Sequence, residues 1–207
     1  MAESSHPEPR FYDEEKARAY RSRSAARSEA EARLLGRLLD RIPPGPALDA
    51  PCGEGRLLRL LEARGFRPTG MDLSPGMLRL AGGGIRGRVQ ALPFRDGAFP
   101  LVVCHRFLHH LPREEQARVL GELARVSGEW ILLSFFHPVS LHGLTRRIRS
   151  LLSGRRSGRH ATPPAFLKET LGREGFRPVA FLAQRPYLRE YWLALFQLDR
   201  TSPDGRG

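Results

Sequence analysis

Apolar positions along this chain change their period several times, and each change predicts an element. Leu34, Leu35, Leu38, Leu39 and Ile42 recur at the three- and four-residue spacing of a helix, so this face should pack inward. Upstream, Asp13 is a candidate N-cap, followed by Glu14 and Glu15 where carboxylates suit the positive end of a helix dipole. A helical region is therefore predicted from Asp13 to Arg41, with a serine-bearing interruption at 22–24. The run Ile42-Pro43-Pro44-Gly45-Pro46 ends it, because proline lacks an amide donor and disfavours helix in the residue before it.

Short apolar runs then alternate with helical ones. Strands are predicted over 47–50, 69–72, 88–91, 101–104 and 130–136. Helices are predicted over 55–64, with Leu57, Leu60 and Leu61 on one face, and over 75–81, with Pro75 in its first turn. Another is predicted over 112–126, with Val119, Leu123 and Val126 inward. This repeated order predicts parallel strands covered by helices on both faces. The tail differs: a helix over 163–174 is followed by strands over 178–182 and 191–198. The tight connection at 186–189 suits an antiparallel hairpin. The expected fold class is thus α/β: a doubly wound, mostly parallel seven-stranded sheet with an antiparallel last strand. One domain is expected over 11–200, interrupted by a basic insertion at 138–162, with 1–10 and 201–207 disordered. In the insertion Leu144, Ile148, Leu151 and Leu152 interleave with arginines, which suits an amphipathic helix.

Composition narrows the class. With 207 residues, 41% hydrophobic and 27% charged, the chain suits a single globular core. Its first ten residues carry no apolar leader, and the longest apolar stretch, 130–136, contains Ser134 and is too short to span a bilayer. An intracellular, cytoplasmic protein is expected. Two cysteines, Cys52 and Cys104, supply neither a disulfide framework nor a four-thiolate zinc site, and no metal is expected. The formal charge of +12 invites a nucleic-acid reading, but Lys16 and Lys168 are the only lysines, so the excess is an arginine bias. Its distribution is more telling. No acidic residue occurs between Trp130 and Lys168, whereas Arg146, Arg147, Arg149, Arg155, Arg156 and Arg159 all do.

Two constellations carry chemistry. Leu48-Asp49-Ala50-Pro51-Cys52-Gly53-Glu54-Gly55 sits where a strand turns into a helix. Glycines at 53 and 55 let main chain approach a ligand, and the free amides at a helix start favour an anionic group. A dinucleotide fingerprint would also want glycine at 58, which is Leu58, so a pyrophosphate-binding oxidoreductase is disfavoured. The second constellation is Gly70-Met71-Asp72-Leu73-Ser74, in which Asp72 ends a strand nineteen positions after Gly53. An acid at that separation can accept hydrogen bonds from both hydroxyls of an adenosine ribose.

These segments, with Ser74-Pro75-Gly76-Met77-Leu78, Ala91-Leu92-Pro93-Phe94 and Leu108-His109-His110-Leu111-Pro112, resemble the successive motifs of class I S-adenosylmethionine-dependent methyltransferases. The similarity is to the type 11 group, runs over residues 11–136, and extends to Phe11-Tyr12-Asp13 and Ala19-Tyr20 at the start. The resemblance implies a Rossmann-like methyltransferase fold and S-adenosyl-L-methionine as cofactor. Asp49, Ala50, Pro51, Gly53 and Gly55 would line its methionyl end and Asp72 its ribose. Leu73 and Met77 would lie against the adenine, with Gln90, Ala91 and Leu92 at its edge. Tyr20 would close over it, with Tyr12. His105 would lie near the sulfonium and the acceptor opening, and His105 and His109 are the candidate catalytic bases, with His110 beside them. The chain departs from the family pattern at two points. No acid occurs between Asp72 and Asp96 to receive the adenine amino group, leaving Gln90 as an acceptor, and Pro100 stands where an Asp is usual.

The expected acceptor is a small molecule with an O, N or C nucleophile, anionic if the arginine-bearing segment attends it. An RNA or protein methyltransferase is the alternative suggested by charge. Val103-Cys104-His105-Arg106-Phe107 lacks the Asn/Asp-Pro-Pro-aromatic signature of amide and base-amine methylation. A non-catalytic cofactor-binding protein is the third reading, motivated by the missing adenine acid.

Overall fold

The computed structural model describes residues 25–140, 145, 159–183, 186, 188 and 190–200. Seven strands form one sheet: β1 (Pro46–Asp49), β2 (Arg67–Asp72), β3 (Ile85–Arg86), β4 (Phe99–Cys104), β5 (Ser127–Phe136), β6 (Phe176–Ala183) and β7 (Tyr191–Leu198). Their order across the sheet is β3-β2-β1-β4-β5-β7-β6. β1 pairs in parallel with β2 and β4, and β4 with β5, while β7 runs antiparallel between β5 and β6. The expected doubly wound sheet with an antiparallel last strand is the observed one. Among the described residues, no helix is long and apolar enough to cross a membrane.

The helices are α1 (Ala25–Leu39), α2 (Arg56–Glu62), α3 (Pro75–Ala81), α4 (Arg113–Val126) and α5 (Pro164–Arg173), with a 3₁₀ turn at Leu108–His110. Strand residues alternate between two cores, as a period of two requires. Leu48, Val102, Ile131 and Leu133 pack with Val119, Leu120 and Leu123 of α4 and Leu167 and Leu171 of α5. Ala47, Leu101, Val103 and Leu132 pack on the other face with Leu34, Leu35, Leu38 and Leu39 of α1 and Leu57 and Leu61 of α2. Both cysteines are buried and free.

Two expectations are corrected. The third strand is Ile85–Arg86, not 88–91, and residues 88–91 form a turn closed by the Arg88–Ala91 bridge. Ile85 and Arg86 are exposed on the sheet edge, so they show no buried alternation to read. Val89, whose apolar side chain suggested a strand, is instead buried in the core from within that turn. β5 also begins at Ser127 rather than Trp130, because Phe99 pairs with Ser127 before the register shifts between Phe99 and Leu101. Pro100 lies in that irregularity, where its missing amide takes no donor from a ladder.

The chain winds outward from β1 through β2 to β3, then returns to β4 on the other side of β1. The gap between the carboxyl ends of β1 and β4 is therefore the switch point at which open α/β sheets form their ligand crevice. The loops after β1, β2 and β4 converge there.

Candidate active site

After β1 the chain turns sharply into α2. Gly53 has φ +55° and Gly55 has φ +76°, conformations that strain any residue with a Cβ. A Cβ on Gly55 would meet the Ala81 Cα at 2.9 Å, so α3 packs on the loop at a distance only glycine allows. A Cβ on Gly53 would instead meet nothing within 4 Å, so this side of the loop faces open space.

Asp72 fastens the two loops together. Its Oδ2 accepts from the Gly53 amide at 2.9 Å and its Oδ1 from the Ser74 amide at 2.8 Å. Each oxygen keeps a second lone pair for a further donor. Ser74 caps α3 by accepting from the Met77 amide at 3.3 Å, which sets Leu73 and Met77, both partly buried, beside Asp72. The Gly87 amide donates to the Asp72 carbonyl at 3.1 Å, bringing the chain that carries Gln90, Ala91 and Leu92 along the same edge.

Asp49 ends β1 beneath this loop. It is 1% exposed, and neither carboxylate oxygen has a hydrogen-bond partner. Burial, then the nearby Asp72 charge, holds its carboxyl well above the usual carboxylate range. Buried polar atoms in folded proteins are ordinarily paired, so this pair of oxygens marks a place where a donor belongs. Ala50 and Pro51 follow it, with the Ala50 amide bonded to the Val103 carbonyl of β4 at 2.9 Å. The burial that isolates Asp49 also pushes the Cys52 thiol up to about 12, so Cys52 is a packed apolar group rather than a nucleophile.

Beyond β4, His105 Nε2 lies 2.8 Å from the Tyr191 hydroxyl at the start of β7. Burial, then the Arg56 and Arg106 charges, pushes the His105 imidazole down to about 3, so it is neutral. His109 is 5% exposed and stacks on Phe136 with ring centroids 4.0 Å apart. Burial, then neighbouring positive groups, pushes it down to about 2, and its carbonyl accepts from the His160 amide at 2.8 Å. His109 thus sits in a packed cluster, whereas His105 lies in the crevice. Tyr12 and Tyr20, and Arg146, Arg147, Arg149, Arg155 and Arg156 of the basic insertion, lie outside the described residues. Of that arginine group Arg159 is described. It pairs with the buried Glu190 at 3.9 Å and lies over the Phe136 ring.

Sequence reasoning missed several residues of this region. Glu31 of α1 is buried between Arg56 and Arg106. Its signal was a carboxylate on the apolar stripe of α1, three and four residues before Leu34 and Leu35. Glu122 and Arg125 of α4 clamp the segment that carries Leu92: Glu122 accepts from the Leu92 amide at 2.7 Å, and Arg125 donates to the Leu92 and Phe94 carbonyls. Arg125 also reaches Asp96 at 2.9 Å, while its own carbonyl accepts from the Gly97 amide. The segment 92–96 is thus anchored from α4. No local pattern in the sequence joins positions thirty residues apart.

Residues 48–128 match the family model described as a methyltransferase domain. A malonyl-[acyl-carrier protein] O-methyltransferase of Serratia marcescens is 32% identical over 134 residues, covering 61% of this chain and 51% of that protein. The chain therefore spans about half the length of this curated relative. Among solved structures, magnesium protoporphyrin IX methyltransferase from Synechocystis PCC 6803 with bound SAH is similar at a TM-score of 0.68. It is 20% identical and is matched over 84% of this chain and 83% of that one. A SAM-dependent methyltransferase from Archaeoglobus fulgidus gives a TM-score of 0.64 at 19% identity, over 82% and 94%.

Proposed function

We propose that the chain, whose residues 48–128 match a methyltransferase domain, is a class I, type 11 methyltransferase that transfers a methyl group from S-adenosylmethionine to an O, N or C nucleophile of a small-molecule acceptor. The observation that carries this reading is Asp49: a wholly buried carboxylate with two unpartnered oxygens, under a glycine loop with open space on one side. The residues present fit the cofactor. Asp49 would face its cationic amino-acid end across the Gly53–Gly55 loop. Asp72 would use its remaining lone pairs on the ribose, and Leu73, Met77 and the Gln90–Leu92 segment would flank the adenine. Bound there, S-adenosylmethionine supplies an already activated methyl group.

What the chain must add is alignment and exclusion of water, and such positioning contributes roughly 7 kcal/mol or more to rate. Val102 and Val103 of β4 and Leu132 and Leu133 of β5 are buried apolar side chains, which suits a water-poor crevice. His105 orients toward the acceptor side through Tyr191, but a neutral imidazole lowered to about 3 takes up a proton only weakly at neutral pH. This favours an acceptor that arrives deprotonated, and an oxygen acid suits that requirement best. An oxygen acceptor is also what the Serratia relative's name carries.

The test is calorimetric titration of the full chain with S-adenosylhomocysteine, beside label transfer from methyl-labelled S-adenosylmethionine into a low-mass metabolite extract. Binding is expected, together with label in an extractable product. No binding by a folded chain would remove the proposed site. Label appearing only in added RNA or protein would replace the acceptor class.

A further inference from the structure

Outside the residues assigned so far, the most heavily partnered buried charge near the crevice is Glu31, which is 3% exposed. Its Oε1 accepts from Arg106 Nη2 at 2.6 Å, and its Oε2 accepts from Arg106 Nε at 3.1 Å and from Arg56 Nη2 at 3.2 Å. The two arginines are far apart in sequence but occupy equivalent places. Arg56 is the first residue of α2, immediately after Gly55 of the glycine loop. Arg106 immediately follows His105. One carboxylate therefore grips the neighbour of the cofactor loop and the neighbour of the acceptor-side histidine.

Arg106 is the one non-glycine residue with a left-handed backbone among the described residues, at φ +56°. Such a conformation costs about 1–3 kcal/mol and persists only where the surroundings enforce it. Here the Arg106 amide donates to the buried Ser134 hydroxyl at 2.6 Å, and the two-point contact with Glu31 fixes the side chain. That turn sets the direction in which His105 leaves β4, toward Tyr191. The Arg106 guanidinium itself lies 5.8 Å from the Tyr191 ring centroid. The same left-handed turn, seen alone, would look like local strain. With the ion pair it looks like a latch.

We propose that Glu31 is a positioning residue: by pinning Arg56 and Arg106 at once, it docks α1 onto the crevice and holds His105 in register with the glycine loop. The functional meaning of this register rests on the methyltransferase reading, but the geometry is tested separately. Among the described residues, the charged and titratable groups facing His105 are Tyr191 of β7, Arg56 of α2, Arg106 of its own segment and His109 of the 3₁₀ turn, with Glu31 of α1 behind both arginines. If Glu31 lost its charge and His105 stayed in place, the two arginines would oppose its protonation still more strongly. Proton uptake by His105 in a Glu31 variant therefore requires that the ring has left its contact.

The experiment is NMR of ring-labelled histidine in the full chain, assigned with His105→Gln, across a pH titration of wild type, Glu31→Gln and Arg106→Gly. Glycine accepts the left-handed turn, so the second variant removes the latch while relieving strain and keeps the test open should Glu31→Gln fail to fold. In wild type the His105 signals should stay those of a neutral ring. In folded Glu31→Gln they should move and titrate near the ordinary histidine value of about 6.5. In Arg106→Gly, which also removes a charge that lowers His105, loss of the Tyr191 contact is read from the displaced ring signals and not from titration. Unmoved, non-titrating His105 signals in a folded variant would overturn the proposal. S-adenosylhomocysteine affinity, read in parallel, should fall about tenfold in Glu31→Gln. Absence of binding by wild type would count against the cofactor site alone, because the ring signals decide the latch on their own.

Discussion

At the scale of single residues, the crevice rests on two carboxylates held in opposite circumstances. Asp72 is satisfied by two main-chain amides, and Asp49 by none. Because burial raises the Asp49 carboxyl, the folded state holds its proton more tightly than the unfolded chain does. The sign follows from linkage. Below the unfolded value, both states are protonated and ionisation of Asp49 adds no penalty. As pH rises from the unfolded value to the folded one, stability is lost, and above that the full penalty applies. Asp49→Asn removes the charge, so it should raise the melting temperature at neutral pH and leave it little changed in acid. For a chain of this size each kcal/mol gained appears as about 2–4 °C. The same variant should lose S-adenosylhomocysteine affinity, read by calorimetry. A melting temperature that falls at neutral pH would show that Asp49 is structural. Gly55→Ala is the steric counterpart. Its φ and the 2.9 Å approach to Ala81 predict a loss of about 1–3 kcal/mol in denaturant unfolding. Gly53→Leu, facing open space with a strained φ, should abolish ligand binding at a smaller cost in stability. The glycine turn at 53–55 and the strand-end places of Asp49 and Asp72 were legible in the sequence because they follow from local spacing. Glu31, Arg106 and Tyr191 were not, since each acquires its role from a partner on another element.

Among the elements, alternation of strand and helix was readable because each buried strand carries its own run of apolar residues, and α4 and β7 appear nearly where periodicity put them. The third strand was misread for a physical reason. An exposed two-residue edge strand buries nothing, whereas the turn beside it buries Val89. The segment 92–97 was readable as a loop but not as an anchored one. It is held from α4 by Arg125, which bonds two of its carbonyls and Asp96, and by Glu122, which takes the Leu92 amide. Arg125→Met keeps the aliphatic stem and removes those donors. It should destabilise the fold by about 1–2 kcal/mol, with the partly exposed ion pairs contributing least. Hydrogen exchange should quicken first at the Leu92 and Gly97 amides. If exchange there is unchanged while the rest of the domain loosens, the clamp acts on α4 and not on the loop.

Across the whole molecule, the carboxyl edge of the sheet is divided. The loops after β1 and β2 and the turn at 88–91 gather at one side, and His105, His109, Phe136 and Tyr191 at the other. The basic stretch enters and leaves on the second side. Its exit is tied there by the His160 amide on the His109 carbonyl and the Thr162 amide on the Phe136 carbonyl, at 2.7 Å. The Thr162 hydroxyl adds a bond to the buried Gln116 at 3.1 Å. The described ends of this stretch lie beside Phe136, on the side where the proposed function places the acceptor, so its arginines are expected to attend the acceptor and not the cofactor. Their shared sign would draw an anionic acceptor and would be screened by salt. Replacing Arg146, Arg147 and Arg149 together with glutamine should therefore leave S-adenosylhomocysteine affinity unchanged in calorimetry. It should also lower label transfer into an anionic low-mass product and flatten the dependence of that transfer on ionic strength. Equal transfer by the triple variant and wild type at low salt would show that this charge serves something other than the acceptor. A drop in cofactor affinity would show that the two sides of the edge are not separate.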